Sequence, residues 1–392
     1  MSRHRLLSLM LGGALIFALQ ASVASAKQAS SCSDPAGCIS IGPGDPVRVG
    51  TFVVSERGVI GTESALAVEF AADSRGDIAG HPIQLTHLGD GCQPDLATTT
   101  AEAVAAEATL VGIIGPTCSV AAREIAGILG GAGITTISPS TTAPDLTEAG
   151  QRDPFYFRVA YNDVYHADAL VDFLVGEGHE SLAVVVADTP AFGPMGQRVA
   201  DLFVAANGDV TDLITVAADD DNFSTELADI AASEPDAVVF FTFQGAAFVS
   251  QARATPGLEA TPLATTSDVA ETLLGQIGDV ADAEGLIAAA PDFGFLTTEP
   301  YLSTLGGAFA DAARPFHAYA YDASNLLFDA IASFQQGGSQ RLTIGRTVLR
   351  DAVATTAAYP GVTGSITCGP TGDCNAQQFV IQIVVDGALT PL

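Results

Sequence analysis

Residues 110–142 read LVGIIGPTCSVAAREIAGILGGAGITTISPSTT. Leu110–Gly115 is a short apolar run, Pro116-Thr117-Cys118-Ser119 breaks it, and Val120–Gly130 is an alanine-rich helical stretch. The glycines around Gly127–Gly133 end that helix and turn the chain into a β-branched run, Thr135–Ser138, which stops at Pro139-Ser140-Thr141-Thr142. These glycines follow a helix and precede a strand, the reverse of a dinucleotide-binding fingerprint. Strand, helix and strand in this order, each of modest length, predict a parallel α/β unit with helices on both faces of the sheet.

The same alternation extends in both directions. Before the quoted stretch come strand Val47–Val54, helix Glu63–Asp73, strand Ile83–His87 and helix Asp95–Ala108. After it, a second set runs through helix Tyr165–Gly176, strand Ser181–Ala187, helix Met195–Ala206, strand Val210–Ala217, helix Ser224–Ser233, strand Ala237–Phe243, helix Ala246–Ala254 and strand Pro262–Thr265. Strand Gly285–Ala290 and the helical stretch Tyr319–Phe334 follow, with Gln335–Arg341 as a surface loop. The expected fold class is α/β, two doubly wound lobes of like design. The expected division is 46–160 plus about 286–360 for lobe 1 and 161–285 plus about 361–392 for lobe 2, so that the chain crosses between lobes more than once and forms a multi-strand hinge.

The N-terminus has the order of a cleavable signal peptide: Arg3 and Arg5, the apolar run Leu6–Leu19, then Ala24-Ser25-Ala26. Residues 1–26 are read as that leader and 27–45 as a Ser-, Gly- and Pro-rich lead-in, which predicts a periplasmic or extracellular protein. Cys32 lies beyond this cleavage site, which argues against a lipid anchor. Fifteen basic residues stand against 45 acidic ones, and losing the two leader arginines would leave 13 against 45, a charge of −32. Such a surface repels nucleic acid and anionic membranes, so no nucleic-acid partner is expected. The six cysteines fall as three close pairs, Cys32/Cys38, Cys92/Cys118 and Cys368/Cys374. In an exported chain this arithmetic favours three local disulfides, and closing the interval from Cys92 to Cys118 contributes roughly 3 kcal/mol on the chain-entropy account.

The chemistry of catalysis leaves no signature. There is no G-x-S-x-G elbow, no paired-histidine zinc motif and no phosphate-binding G-x4-G-K-[ST] loop. His81, His87, His166, His179 and His317 are scattered, and His166 alone borders the segment between the lobes. Asp219-Asp220-Asp221 lacks the alternate spacing of a calcium loop and reads as a solvated turn. No metal, no cofactor and no enzymatic activity are expected. The two segments after strands Leu110–Gly115 and Thr135–Ser138 are different in kind. Open parallel sheets bind ligands beyond the carboxyl ends of their strands, and hydroxyls beside a helix N-terminus suit a carboxylate. The competing reading is that Ser119 caps its helix and that the Ser/Thr cluster closes its own turn.

Ile113-Ile114-Gly115-Pro116-Thr117-Cys118-Ser119, Gly133-Ile134 and Ile137-Ser138-Pro139-Ser140-Thr141-Thr142-Ala143-Pro144-Asp145-Leu146-Thr147 resemble the leucine/isoleucine/valine-binding family of periplasmic solute receptors. Further matching residues are Phe157-Arg158 before Asn162-Asp163, Asp221-Asn222-Phe223-Ser224 before Glu234-Pro235-Asp236-Ala237-Val238, and Tyr321-Asp322-Ala323. The resemblance implies a type I, two-lobed periplasmic binding protein that closes on its ligand, and the spacing of Cys92 and Cys118 resembles a disulfide of that family. It implies that Ser119, Ser140 and Thr142 hold the carboxylate and ammonium of an amino acid or analogue, that Phe192 and Phe243 pack over it where the family often has Tyr, and that Asp268 pairs with the ammonium. Tyr165 falls where a cleft residue is common. A monomer serving an ABC permease is the implied function. A ligand-sensing subunit for a receptor or sensor kinase is the alternative on the same fold.

Overall fold

The computed structural model describes residues 32–53, 59–89, 92–107, 109–312, 315–335, 341–375 and 378–392, with the side chains of 59 and 60 left aside. The expected leader, the first five residues of the lead-in and the centre of the loop Gln335–Arg341 lie outside the described residues.

Two sheets organise the chain. The first is six-stranded in the order Asp77–Ile78, His81–His87, Val47–Thr51, Gly112–Ile114, Thr135–Ser138, Tyr156–Arg158, parallel except for the first pair. The second is seven-stranded in the order Ala388–Pro391, Phe379–Val385, Ile287–Pro291, Leu263–Thr266, Ala237–Phe241, Ser181–Ala187, Asp209–Val216. Its last five strands are parallel, and the two C-terminal ones join antiparallel. Numbered by sequence within each lobe, the five parallel strands of both sheets stand in the order 2-1-3-4-5. Each sheet therefore has one point where the winding reverses, and crevices for ligands form there. The central strands are buried on both faces: Ser181–Ala187 shows six buried residues in a row and Ala237–Phe241 is buried throughout. Such strands read as continuous apolar runs rather than alternating ones, as a sheet covered by helices on both sides requires.

The second lobe has one apolar core, running from Leu170 and Leu174 through the sheet to Phe203, Phe248 and Leu273. In the first, helix Val59–Arg75 and helix Phe316–Ala332 cover one face of the sheet around Val49, Ile114 and Ile137. Helices Pro94–Ala105 and Ser119–Gly131 cover the other around Phe52, Leu110 and Ile113. Helix Phe316–Ala332 returns the chain to the first lobe after strand Ile287–Pro291, and strand Phe379–Val385 takes it back to the second. With the passage after Arg158, the chain crosses three times, which gives the expected multi-strand hinge.

The lobe boundaries need two corrections. Strand Ile287–Pro291, assigned by sequence to the first lobe, hydrogen-bonds to Leu263–Thr266 in the second sheet. Residues 361 to 374, assigned to the second lobe, pack on the first. Val362, Ile366 and Cys374 are buried in its core, and the Asp322 carboxylate accepts hydrogen bonds from Val362 N–H at 2.8 Å and Thr363 N–H at 2.9 Å. Strand partners far apart in sequence decide both cases, and periodicity within a segment carries no trace of them. Element ends shift by a few residues: the strand read as Ala237–Phe243 stops at Phe241, and the helix read from Met195 starts at Phe192.

Disulfides join Cys92 to Cys118 and Cys368 to Cys374. Cys32 and Cys38 are also disulfide-bonded, and no cysteine is free among the described residues.

Candidate ligand-binding cleft

The first sheet's winding reverses between Val47–Thr51 and Gly112–Ile114, the second's between Ser181–Ala187 and Ala237–Phe241. The segments leaving these strands carry three of the seven ligand-site residues singled out by sequence: Ser119 in one lobe, Phe192 and Phe243 in the other. A cleft of about 510 Å³ lies between the carboxyl ends of the two sheets. Thr117, Cys118, Ser140 and Thr142 of the first lobe line it, facing Ser267, Asp268 and Glu271 of the second. Tyr161, Phe293 and Phe316, on the segments that cross between lobes, close its back, where the Tyr161 and Phe316 rings stack with centroids 6.1 Å apart. Asp268 also borders an adjoining cavity of about 240 Å³, lined by Asp163, His166, Phe192, Met195, Thr242 and Phe243.

The first-lobe wall is laced together. Ser138 Oγ donates to Pro116 O at 2.8 Å, Ser140 Oγ donates to Thr117 O at 3.0 Å, and Ala143 N–H donates to Ser119 Oγ at 3.3 Å. Ser138, not the later hydroxyls, closes the turn by accepting from Thr141 N–H at 3.1 Å. Ser119 does not cap its helix either. It is the first residue of helix Ser119–Gly131, whose N-cap is Cys118, with no side-chain capping bond. First-turn N–H groups have no acceptor within their own helix, so this terminus keeps donors for an anion. The Cys92–Cys118 bridge holds the N-cap residue in place.

Gly115 sets the angle at which this wall leaves the sheet. Its φ is +125°, open to glycine and rarely to other residues, and an added Cβ would stand 2.5 Å from Phe52 O. Gly115→Ala is expected to destabilise the protein by at least about 2 kcal/mol, read by urea unfolding, because conformational strain and a backbone clash add.

Beneath the wall lies a buried charge pair. Arg158 is fully buried and ion-paired with Asp373. Its Nη1 donates to Ala143 O at 2.8 Å and Thr141 O at 3.2 Å, the carbonyls on either side of Thr142. Asn162 Nδ2 donates to Asp373 Oδ2 at 3.2 Å, and Arg158 N–H and Cys374 N–H pair with Gly372 O and Arg158 O. Two of the segments that cross between lobes are thereby joined to the turn carrying Thr142.

The second-lobe wall is apolar with an acidic edge. The Phe192 ring is buried and lies 4.8 Å from that of Phe243, which is 57% exposed and borders the smaller cavity. Thr266 caps helix Ser267–Leu274, its hydroxyl accepting from Val269 N–H, and Asp268 lies in that helix's first turn. Of the sequence-derived site residues, Ser140, Thr142 and Asp268 line the larger cavity and Phe192, Phe243 and Asp268 the smaller. Ser119 sits one residue behind Cys118 and reaches the wall through Ala143. Tyr165 is not brought in with them: its ring lies under the Arg198 guanidinium, 5.0 Å from the centroid, and Arg198 is ion-paired with Asp168.

Sequence reasoning passed over Asp163. Its N–H donates to Thr142 O at 2.9 Å, its carboxylate meets the Thr142 hydroxyl, and Oδ1 is 3.8 Å from His166 Nε2. Burial raises its pKa to about 6, helped by the charge of Asp268 and opposed by Thr142 and Arg158. The available signal was the Asn162-Asp163 pair at the crossover, quoted for the resemblance but given no role.

Comparisons with known proteins agree with this fold. The family described as periplasmic binding protein matches residues 51–388. The Leu/Ile/Val-binding protein BraC3 of Rhizobium johnstonii is 24% identical over 313 residues, 78% of this chain and 82% of that one. An ABC transporter substrate-binding protein from Desulfitobacterium hafniense, solved in complex with Leu, superposes with a TM-score of 0.68 at 20% identity, covering 89% of this chain and 99% of its own. An ABC transporter solute-binding protein of R. palustris, solved with benzoate, gives 0.64 at 22% identity over 88% of this chain and 95% of that one. With a match that runs through both sheets and all three crossings, the chain belongs to the periplasmic binding protein family.

Proposed function

We propose that this protein is the extracytoplasmic receptor of an ABC importer, capturing an amino acid or a related small polar solute between two lobes that close over it, with no chemical turnover. The observation that carries the proposal is the cleft between the two sheet ends with its adjoining cavity, with hydroxyls and a helix N-terminus on one side and a carboxylate and aromatic rings on the other. A ligand with a carboxylate and an ammonium bridges these walls, so its own charges favour closure. Relatives named for binding leucine, isoleucine and valine support the solute class. The moving bodies in this reading are 46–160 with about 292–375, and 161–291 with the C-terminal strands. Ser119, Ser140 and Thr142 take the polar end of the ligand, Asp268 its counter-charge, and Phe192 and Phe243 its side chain.

No helix among the described residues is long and apolar enough to cross a membrane. The leader-like N-terminus supports export, and in this reading a monomer outside the cytoplasm delivers its cargo to a separate permease. A thermal-shift screen against amino acids, amides and small carboxylates tests the reading. A solute at 100 times its Kd stabilises the native state by about 2.7 kcal/mol, and a shift with one amino-acid class is expected. No shift with any class would defeat it.

A further inference from the structure

We propose that the hinge itself holds a site for a small monovalent cation, of the size of potassium or ammonium, and that its occupation tightens solute binding in the cleft. The site stands apart from the solute-binding reading, whereas its coupling to the cleft rests on that reading.

A cavity of about 150 Å³ lies where the three crossings meet. Tyr161 lines it from the first crossing, Asp292 from the second, and Asn375 and Gln378 from the third, with Tyr319 and Thr363 completing the wall. Asp292 N–H donates to Gln378 O at 2.9 Å, which joins the second and third crossings at this place. Tyr161 borders both this cavity and the solute cleft, but the cleft's own carboxylates, Asp268 and Glu271, are not part of this wall.

The wall presents acceptors. Asp292 Oδ1 accepts from Gly294 N–H at 2.7 Å, and an ionised carboxylate has no proton to donate. Thr363 Oγ1 gives its proton to Asp322 Oδ2 at 2.6 Å and has only lone pairs left. The Tyr319 and Asn375 side chains bond to each other, and burial with the charges of Asp322 and Asp292 raises the Tyr319 pKa, so the phenol stays neutral. No described residue lining the cavity is basic. Arg158, tied to the third crossing through Cys374 N–H, is already paired with Asp373.

Oxygen lone pairs beside an uncompensated carboxylate complement a hard cation. One lining carboxylate matches a single positive charge, since calcium sites gather several carboxylates and magnesium demands an octahedral shell. A single water needs only about 10–15 Å³ of such space, so the cavity holds an ion with part of its hydration shell. An ion bound between Asp292 and the third crossing fixes Tyr161, at the back of the cleft, before solute arrives. Preorganising that wall removes part of the ordering that binding otherwise costs, and linkage requires solute to tighten the cation site by the same factor.

Thermal unfolding midpoints of the wild type and Asp292→Asn, measured in potassium, ammonium or N-methylglucamine chloride at equal ionic strength, test the site. Screening of surface charge is alike in all three salts, so a specific site alone separates them. At ten times its Kd, potassium or ammonium should raise the wild-type midpoint by about 2 °C over N-methylglucamine. Whichever ion answers identifies the occupant as alkali or amine-like. Asp292→Asn should lose that difference, and a midpoint in N-methylglucamine no lower than wild type shows that the variant is folded. Calorimetric titration of the best solute from the thermal-shift screen should show about fivefold tighter binding in the small cation, in the wild type alone. Equal wild-type midpoints in all three salts, or an undiminished difference in Asp292→Asn, overturns the site. A specific midpoint shift without tighter solute binding overturns the coupling. If no solute binds, the solute-binding reading fails and the coupling falls with it, while the midpoints still decide the site.

Discussion

Asp373→Ala is expected to destabilise the protein by about 3–5 kcal/mol, the range for breaking a buried ion pair and leaving one charge unpaired. Arg158 has no exposed side-chain surface, and Asp373 has only 10%. Without the carboxylate, the guanidinium keeps its bonds to the Thr141 and Ala143 carbonyls but nothing balances its charge. Thr147 Oγ1 and Asn162 Nδ2 lose an acceptor at the same time. Urea unfolding monitored by circular dichroism reads the effect. The double variant Arg158→Met with Asp373→Leu should recover much of the loss, because apolar replacement of a whole buried pair is often neutral. A change below about 1 kcal/mol in the single variant would mean that the guanidinium finds water or another acceptor.

Ser119→Ala combined with Thr142→Ala should weaken solute binding between about 10²- and 10⁴-fold, since two hydrogen bonds to charged ligand groups contribute roughly 1.5–3 kcal/mol each. The fold should survive, at a cost of about 1.5–3 kcal/mol for the hydroxyl that Thr142 turns toward the buried Asp163 carboxylate. The Ser119 hydroxyl accepts one long bond from Ala143 N–H, while the turn itself is closed by Ser138. Calorimetric titration with the best solute from the thermal-shift screen measures the loss, and an unchanged affinity would remove both hydroxyls from the binding site.

The alternation of apolar runs and alanine-rich stretches made the two α/β lobes legible, because each strand and helix declares itself within a dozen residues. The cleft wall was legible for a similar reason: Pro116 to Ser119 and Pro139 to Thr142 directly follow their strands. The lateral order of strands was not, since the antiparallel pairing of Ile287 with Ile383 leaves no mark in either segment alone. Arg158 and Asp373, 215 residues apart, stayed hidden likewise. Asp163 has an ordinary local sequence and becomes unusual only once His166, Thr142 and Asp268 are folded around it. Phe192 and Phe243 came from resemblance alone, and the topology supplies their reason: both leave the strands at which the second sheet reverses its winding.

The triple crossing has a consequence for how the molecule is assembled. The sheet of the first lobe is covered on one face by helix Phe316–Ala332, which is made only after most of the second lobe. A fragment ending near Arg158 would leave part of that face open and lack the partner of its buried arginine, so neither lobe is a contiguous, self-sufficient piece of chain. Contacts this distant in sequence are slow to form, because the intervening loop must close before they contribute. The same interleaving that permits a hinge thus makes the two lobes partners in one cooperative folding event.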